Sequence, residues 1–136
     1  MASPWRRWAA LGVLGGWALA VPYVANAAGL ELNVAPRLEV IDHVVPGVLV
    51  VAAAAIVLAL RRGDPAAYEA PVMGAGAIAM LAALWITTSH VPLLGDAAQG
   101  SAPVAASLVH GSAGPPVLLL SLWLLAGEYR TSAASG

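Results

Sequence analysis

Four stretches of the chain carry no formal charge: those between Arg7 and Glu31, Asp42 and Arg61, Glu69 and Asp96, and Asp96 and Glu128. Each is close to or above the roughly 18–20 residues that a helix needs to cross a hydrocarbon core of about 30 Å. No water reaches that depth, and only a helix satisfies its own backbone groups one segment at a time. The pattern therefore predicts an all-α protein with four transmembrane helices in a single domain over residues 1–136. The first span is expected at about Trp8–Ala28. The second starts with Asp42 as N-cap, its carboxylate accepting from free first-turn amides, and holds Pro46 in its first turn. It ends at Arg61-Arg62-Gly63-Asp64-Pro65, a charged turn with helix-ending residues. The third covers about Ala70–Ser89, and Gly29–Ile41 and Val91–Ala102 read as external loops.

The fourth span is irregular. Pro115 and Pro116 each remove a backbone donor and clash with the preceding turn. A helix starting there and ending near Gly127 has only about 12 residues, or roughly 18 Å, too short to cross. Ala102–Ala113 must supply the outer part as a half-helix, with a break at Gly114, Pro115 and Pro116 and freed carbonyls near Gly111–Ser112. Such backbone is tolerated at membrane depth only against protein or a wet cavity.

A second pattern overlies the first. Ala35-Pro36, His43 and Gly47 recur 67 positions later as Ala102-Pro103, His110 and Gly114. The same offset pairs Ala10/Ala77, Leu14/Leu81, Val24/Val91, Val50/Val117, Leu58/Leu125 and Ala59/Ala126. The expectation is one helical hairpin used twice, at about 5–63 and 70–130. Both copies enter from and return to the same side, so they form parallel repeats about an axis along the membrane normal.

Composition agrees with lipid as the solvent. Of 136 residues 60% are hydrophobic and 10% charged, with a mean hydropathy of +0.83, against about 25% charged in soluble domains. The absence of cysteine excludes disulfides, thiolate metal sites and thiol nucleophiles. A net charge of −1 offers no basic patch for nucleic acid. Arg6, Arg7, Arg61, Arg62 and Arg130 flank one side of the spans, and Arg37 alone lies on the other with Glu31, Glu39, Asp42 and Asp96. The positive-inside bias thus puts both termini and the 61–69 turn in the cytoplasm. Trp5, Trp8 and Tyr129 suit the interfacial belts. Arg6-Arg7, an apolar run and Ala25-Asn26-Ala27 mimic a secretory signal; the length of the uncharged run and the hairpin pattern favour a retained span.

Small residues mark helix faces for close approach: Gly12 and Gly16 on the first span, and Ala75, Ala79 and Ala83 on the third. The chemistry-bearing residues are few. His43, His90 and His110 fall at the outer ends of spans, in one leaflet, and imidazole is both a metal ligand and a group that titrates near neutrality. Three alternatives stay open: structural histidines at wet helix ends; His43 and His110 as axial ligands of a haem b; or a metal site of His43, His90 and His110 with Asp42. No Asp, Glu or Arg falls at mid-depth, which argues against a charged permeation route. No Ser–His–Asp set stands out.

The two-hairpin layout resembles the SPW-repeat family of small bacterial membrane proteins, which has two helices per repeat and a Ser-Pro-Trp-like tripeptide late in the first. Val21-Pro22-Tyr23 and Thr88-Ser89-His90 stand where the tripeptide falls, whereas the literal Ser3-Pro4-Trp5 precedes the first span. The resemblance implies a four-helix protein of the bacterial inner membrane without an assigned activity, and it carries over no catalytic residue. The expected role is non-enzymatic, as a scaffold or accessory subunit without cofactor. It would pack through Gly/Ala faces in the lipid bilayer, against itself or a larger complex. The alternatives are haem or metal binding, and solute transport through a cavity at the Gly111–Pro116 break.

Overall fold

The computed structural model describes residues 4–30, 32, 34–60 and 68–135. Its elements are α1 (Pro4–Ala27), α2 (Pro36–Glu39), a π turn (Val40–Val44), α3 (Val45–Leu60), α4 (Glu69–Ser89), α5 (Val91–Ala98), α6 (Val104–Gly111) and α7 (Gly114–Ser135). There is no strand among the described residues. Four segments are long and apolar enough to cross a membrane: Trp5–Ala27, Pro36–Leu60, Ala70–Ala98 and Val104–Gly127. The protein is thus an all-helical bundle of four candidate membrane spans. The Arg61–Pro65 turn expected to end the second span lies outside the described residues.

Glycine sets how closely the helices meet. A Cβ added at Gly15 would come within 2.8 Å of Val50, and one at Gly47 within 2.8 Å of Leu19 and 3.1 Å of the Gly15 carbonyl oxygen. The pairings Gly12–Ala54, Gly15–Val50 and Leu19–Gly47 run in opposite directions along the chain, so α1 and α3 form an antiparallel hairpin. Gly76–Leu125 and Thr87–Gly114 define a second antiparallel pair, α4 with α7. Packing of α3 on α4 joins the two hairpins, and α1 on α7 closes the bundle.

The expected Gly12/Gly16 face is shifted by one residue. Gly12 meets Ala54, but a Cβ on Gly16 would touch nothing within 4 Å, and Gly15 holds the tight crossing. Ala75, Ala79 and Ala83 are buried in the core with Trp8, Leu11, Val50, Val57, Val117 and Leu124. Trp8 thus packs into the core of the bundle, at the start of the first span. The Ala75–Ala79–Ala83 face is covered by the chain's own helices, and the outward surface includes the large side chains Val13, Leu81, Leu119 and Trp123.

The buried stripe on α3 and that on α6–α7 use positions at the same 67-residue offset. His43, Gly47, Val50, Ala54 and Val57 correspond to His110, Gly114, Val117, Ser121 and Leu124, and all ten are buried. The His–x3–Gly pattern thus acquires a physical meaning. Its glycine permits a helix crossing, and one turn further out its histidine continues the core-facing stripe.

Two expectations about the outer side are corrected. The second span begins at Pro36, at the first helical position, where its missing N–H and fixed φ suit a helix start. Asp42 is accordingly no N-cap; its Oδ1 accepts a hydrogen bond from Trp85 Nε1 at 3.2 Å. The segment read as the loop Val91–Ala102 holds α5, which has Pro92 in its first turn and ends before Gly100 at φ +76°. There Ser101 N–H donates to Asp96 O at 2.9 Å. Gly29, at φ +68°, ends α1 in the same way, with Leu30 N–H donating to Ala25 O at 2.8 Å. A left-handed glycine closing a helix by such a bond is the expected C-terminal cap.

Candidate histidine site at the outer end of the bundle

Each histidine sits where the backbone departs from regular α-helix. His43 lies in the π turn, in which Val45 N–H donates to Val40 O, five residues back. Pro46 has no N–H to continue the α pattern, so one extra residue is accommodated just before it. His90 joins α4 to α5 at φ −95°, ψ −5°. His110 lies in the last turn of α6, before the break at Ser112–Ala113. That break falls where Pro115 and Pro116 withhold the donors that the Gly111 and Ser112 carbonyls would otherwise receive. Ser112 Oγ is held by donating to Val109 O at 2.7 Å and accepting from Trp17 Nε1 at 3.1 Å.

These three irregular points converge. All three rings are buried, at 2% (His43), 7% (His90) and 3% (His110) exposure. The ring centroids of His43 and His90 are 4.6 Å apart and those of His43 and His110 5.8 Å, both edge-on. The Nε2 atoms of His43 and His90 lie 3.0 Å apart. Beneath them Ala18, Val21, Ile86 and Ala113 form an apolar layer.

Backbone carbonyls assign the tautomers, because a carbonyl oxygen only accepts. His90 Nδ1 is 2.7 Å from Ile86 O and His110 Nδ1 is 3.1 Å from Ala106 O. Both rings therefore carry a proton on Nδ1, and in the neutral form their Nε2 atoms present lone pairs. His43 Nε2 must then donate to His90 Nε2, which leaves His43 Nδ1 without a proton. That atom is buried and makes no hydrogen bond. The His110 lone pair is directed at Glu39 Oε1, 3.8 Å away.

Two cavities open onto this cluster. One of about 400 Å3 is lined by all three histidines together with Glu39, Asp42 and Asp96. Another of about 350 Å3 lies between α1 and the π turn and shares Glu39 and His110 with it. The first cavity thus collects three carboxylates and three imidazoles, with no arginine among its described lining residues.

Of the residues singled out in the sequence, His43, His90, His110 and Asp42 meet at this cavity. Gly114 stands apart from them, at the α4–α7 crossing. Glu39, read only as a loop charge, belongs to the site. Its spacing of four from His43 was the available signal, but only for a helix that begins before residue 39. As the side chains lie, no three of the described His, Asp or Glu residues form an array that holds one metal ion. His43 Nε2 is turned to His90 Nε2 at 3.0 Å, so a haem held axially by His43 and His110 would require that contact to open. Ser89 Oγ is 3.1 Å from His90 Nδ1, but that nitrogen is committed to Ile86 O, so no activated nucleophile results.

No protein-family model, curated protein or solved structure matches this chain.

Proposed function

We propose that the protein is a non-catalytic, multi-pass component of the bacterial cytoplasmic membrane that receives a cation in the cavity at the outer end of its bundle. One observation carries this reading. A chain with 10% charged residues brings three carboxylates and three buried imidazoles to a single cavity. Buried polar groups are costly unless matched, and a concave site with convergent polar groups is the ordinary form of a ligand site. Of the small residues that suggested lateral assembly, Gly12, Ala75, Ala79 and Ala83 pack inside the bundle, whereas Gly16 is open. The break at Gly111–Pro116 helps to place His110, and the two cavities that reach the histidines lie at the outer end of the bundle.

The reading is tested with the full chain in mild detergent after chelator treatment. Trp85 Nε1 is bonded to Asp42 Oδ1 at the cavity rim, so cation entry should change tryptophan emission. The change should disappear in Trp85→Phe, and Asp42→Asn should weaken the response about tenfold. Silence toward every mono- and divalent cation tried would remove the proposal.

The same reading sets the orientation. The arginine bias places both termini in the cytoplasm, and the cavity then opens outward. A fluorescent-protein fusion after residue 136 should be bright in the cytoplasm, and an alkaline phosphatase fusion after Gly100 should be active in the periplasm. The reverse pattern would make the cavity face the cytoplasm.

A further inference from the structure

We propose that the cation is a borderline transition-metal ion of the zinc type, held by Nε2 of His43, His90 and His110 with Glu39 completing the set. The inference rests on the cation-receiving reading above and adds the class of ion and its ligands.

Hard cations such as calcium and magnesium take oxygen donors, whereas imidazole suits zinc and its neighbours. Both kinds of donor line the cavity, but the nitrogens are the prepared ones. Metal-ligating histidines characteristically donate the other ring N–H to a backbone carbonyl or carboxylate, which fixes tautomer and ring orientation. His90 and His110 already do so, toward Ile86 O and Ala106 O. Each carbonyl lies four residues back, so the helix itself supplies the second shell.

The two lone pairs thereby exposed differ in their partners. That of His110 faces a carboxylate oxygen at 3.8 Å, beyond hydrogen-bonding distance. Two acceptors directed at one another are stabilised by a cation between them. That of His90 is met by the only N–H that His43 can offer on that side.

His43 holds the site closed, and its unpartnered Nδ1 shows how it opens. Moving the ring proton from Nε2 to the unpartnered Nδ1 leaves the imidazole neutral and frees the Nε2 lone pair. All three rings are then Nδ1–H tautomers, those of His90 and His110 backed by carbonyls of α4 and α6, and each has an Nε2 lone pair to offer. No proton is gained or lost in this step. Tetrahedral zinc with Zn–N of about 2.0–2.1 Å sets its nitrogens roughly 3.3–3.4 Å apart, so the 3.0 Å pair of His43 and His90 need separate by only a few tenths of an ångström. His110 must turn inward, bringing Glu39 with it.

Cobalt(II) is the probe, because its visible bands report coordination directly. Chelator-stripped full-length protein should take up one equivalent and develop the intense ligand-field absorption of a four- or five-coordinate nitrogen/oxygen site, which zinc(II) then bleaches. His43→Gln and His90→Gln should each weaken binding by about 100-fold or more, at or above the upper end of the loss expected for an outer-shell partner. Their folding is checked by circular dichroism and size exclusion. The unmodified protein's spectrum decides the matter even if a variant fails to fold. A pale six-coordinate spectrum, or calcium(II) binding that Glu39→Gln and Asp96→Asn weaken while the histidine variants do not, would overturn this ligand set and leave the cation-receiving reading standing. No uptake of cobalt(II), zinc(II), calcium(II) or magnesium(II), together with tryptophan emission unmoved by sodium and potassium, would overturn both.

Discussion

Gly114→Ala should destabilise the bundle by about 2–3 kcal/mol, toward the upper end of what overpacking costs. A Cβ there would lie 2.6 Å from Thr87 Oγ1 and 2.8 Å from both the Cα and N of Thr87. Two of those atoms are backbone inside α4, which cannot rotate away. Gly76 offers the contrast: its Cβ would meet Leu125 Cδ2 at 2.6 Å, the far end of a side chain that can change rotamer, so Gly76→Ala should cost less, about 1 kcal/mol. Gly74 has nothing within 4 Å, and Gly74→Ala should stabilise by roughly 0.5–1 kcal/mol through the lower conformational freedom of alanine. Reversible unfolding in mixed micelles ranks the three. Equal stability of the Gly114 and Gly74 variants would mean that α7 does not cross α4 at Thr87.

The second large effect is a coupling. His43→Leu leaves His90 Nε2 buried without a donor, and His90→Leu leaves His43 Nε2 without an acceptor. Each single change should cost about 1–3 kcal/mol, the penalty for a buried polar group that has lost its partner. The double variant removes both groups, so its cost should fall short of the summed singles by at least about 1 kcal/mol. Strict additivity in the same unfolding assay would show that the two imidazoles are not bonded to each other. In metal-free protein this cycle reads the hydrogen bond itself and is independent of any bound ion.

The spans were legible because charge is excluded from hydrocarbon, and the runs free of Asp, Glu and Arg mark them directly. The break before Gly114 was legible for an equally direct reason, since Pro115 and Pro116 lack the hydrogens that a continuous helix needs. The outer layer was less so. Asp42 looked like a cap because a polar stretch precedes it, yet Pro36 starts the helix six residues earlier. A π turn leaves no periodic trace in so short a stretch. In the pair Gly15-Gly16, composition does not choose which glycine faces α3; only the rotational phase of α1 does. His43 and His110 stood out through their common offset, but the position 67 residues before His90 is Tyr23. The place of His90 beside His43 follows from α3 packing on α4, a tertiary fact. Glu39 was hidden for the same reason as the early helix start.

The single additional residue in the Val40–Val44 turn has a consequence for how the span tolerates change in length. Successive residues of an α-helix differ in azimuth by about 100°. Deleting one amino acid from that turn would scarcely alter the hydropathy of the segment, but it would swing Pro36–Glu39 around the axis relative to α3. The carboxylate of Glu39 would then leave the imidazoles and turn toward acyl chains. In this helix the number of residues between Glu39 and Gly47 is therefore as strictly constrained as their chemical character.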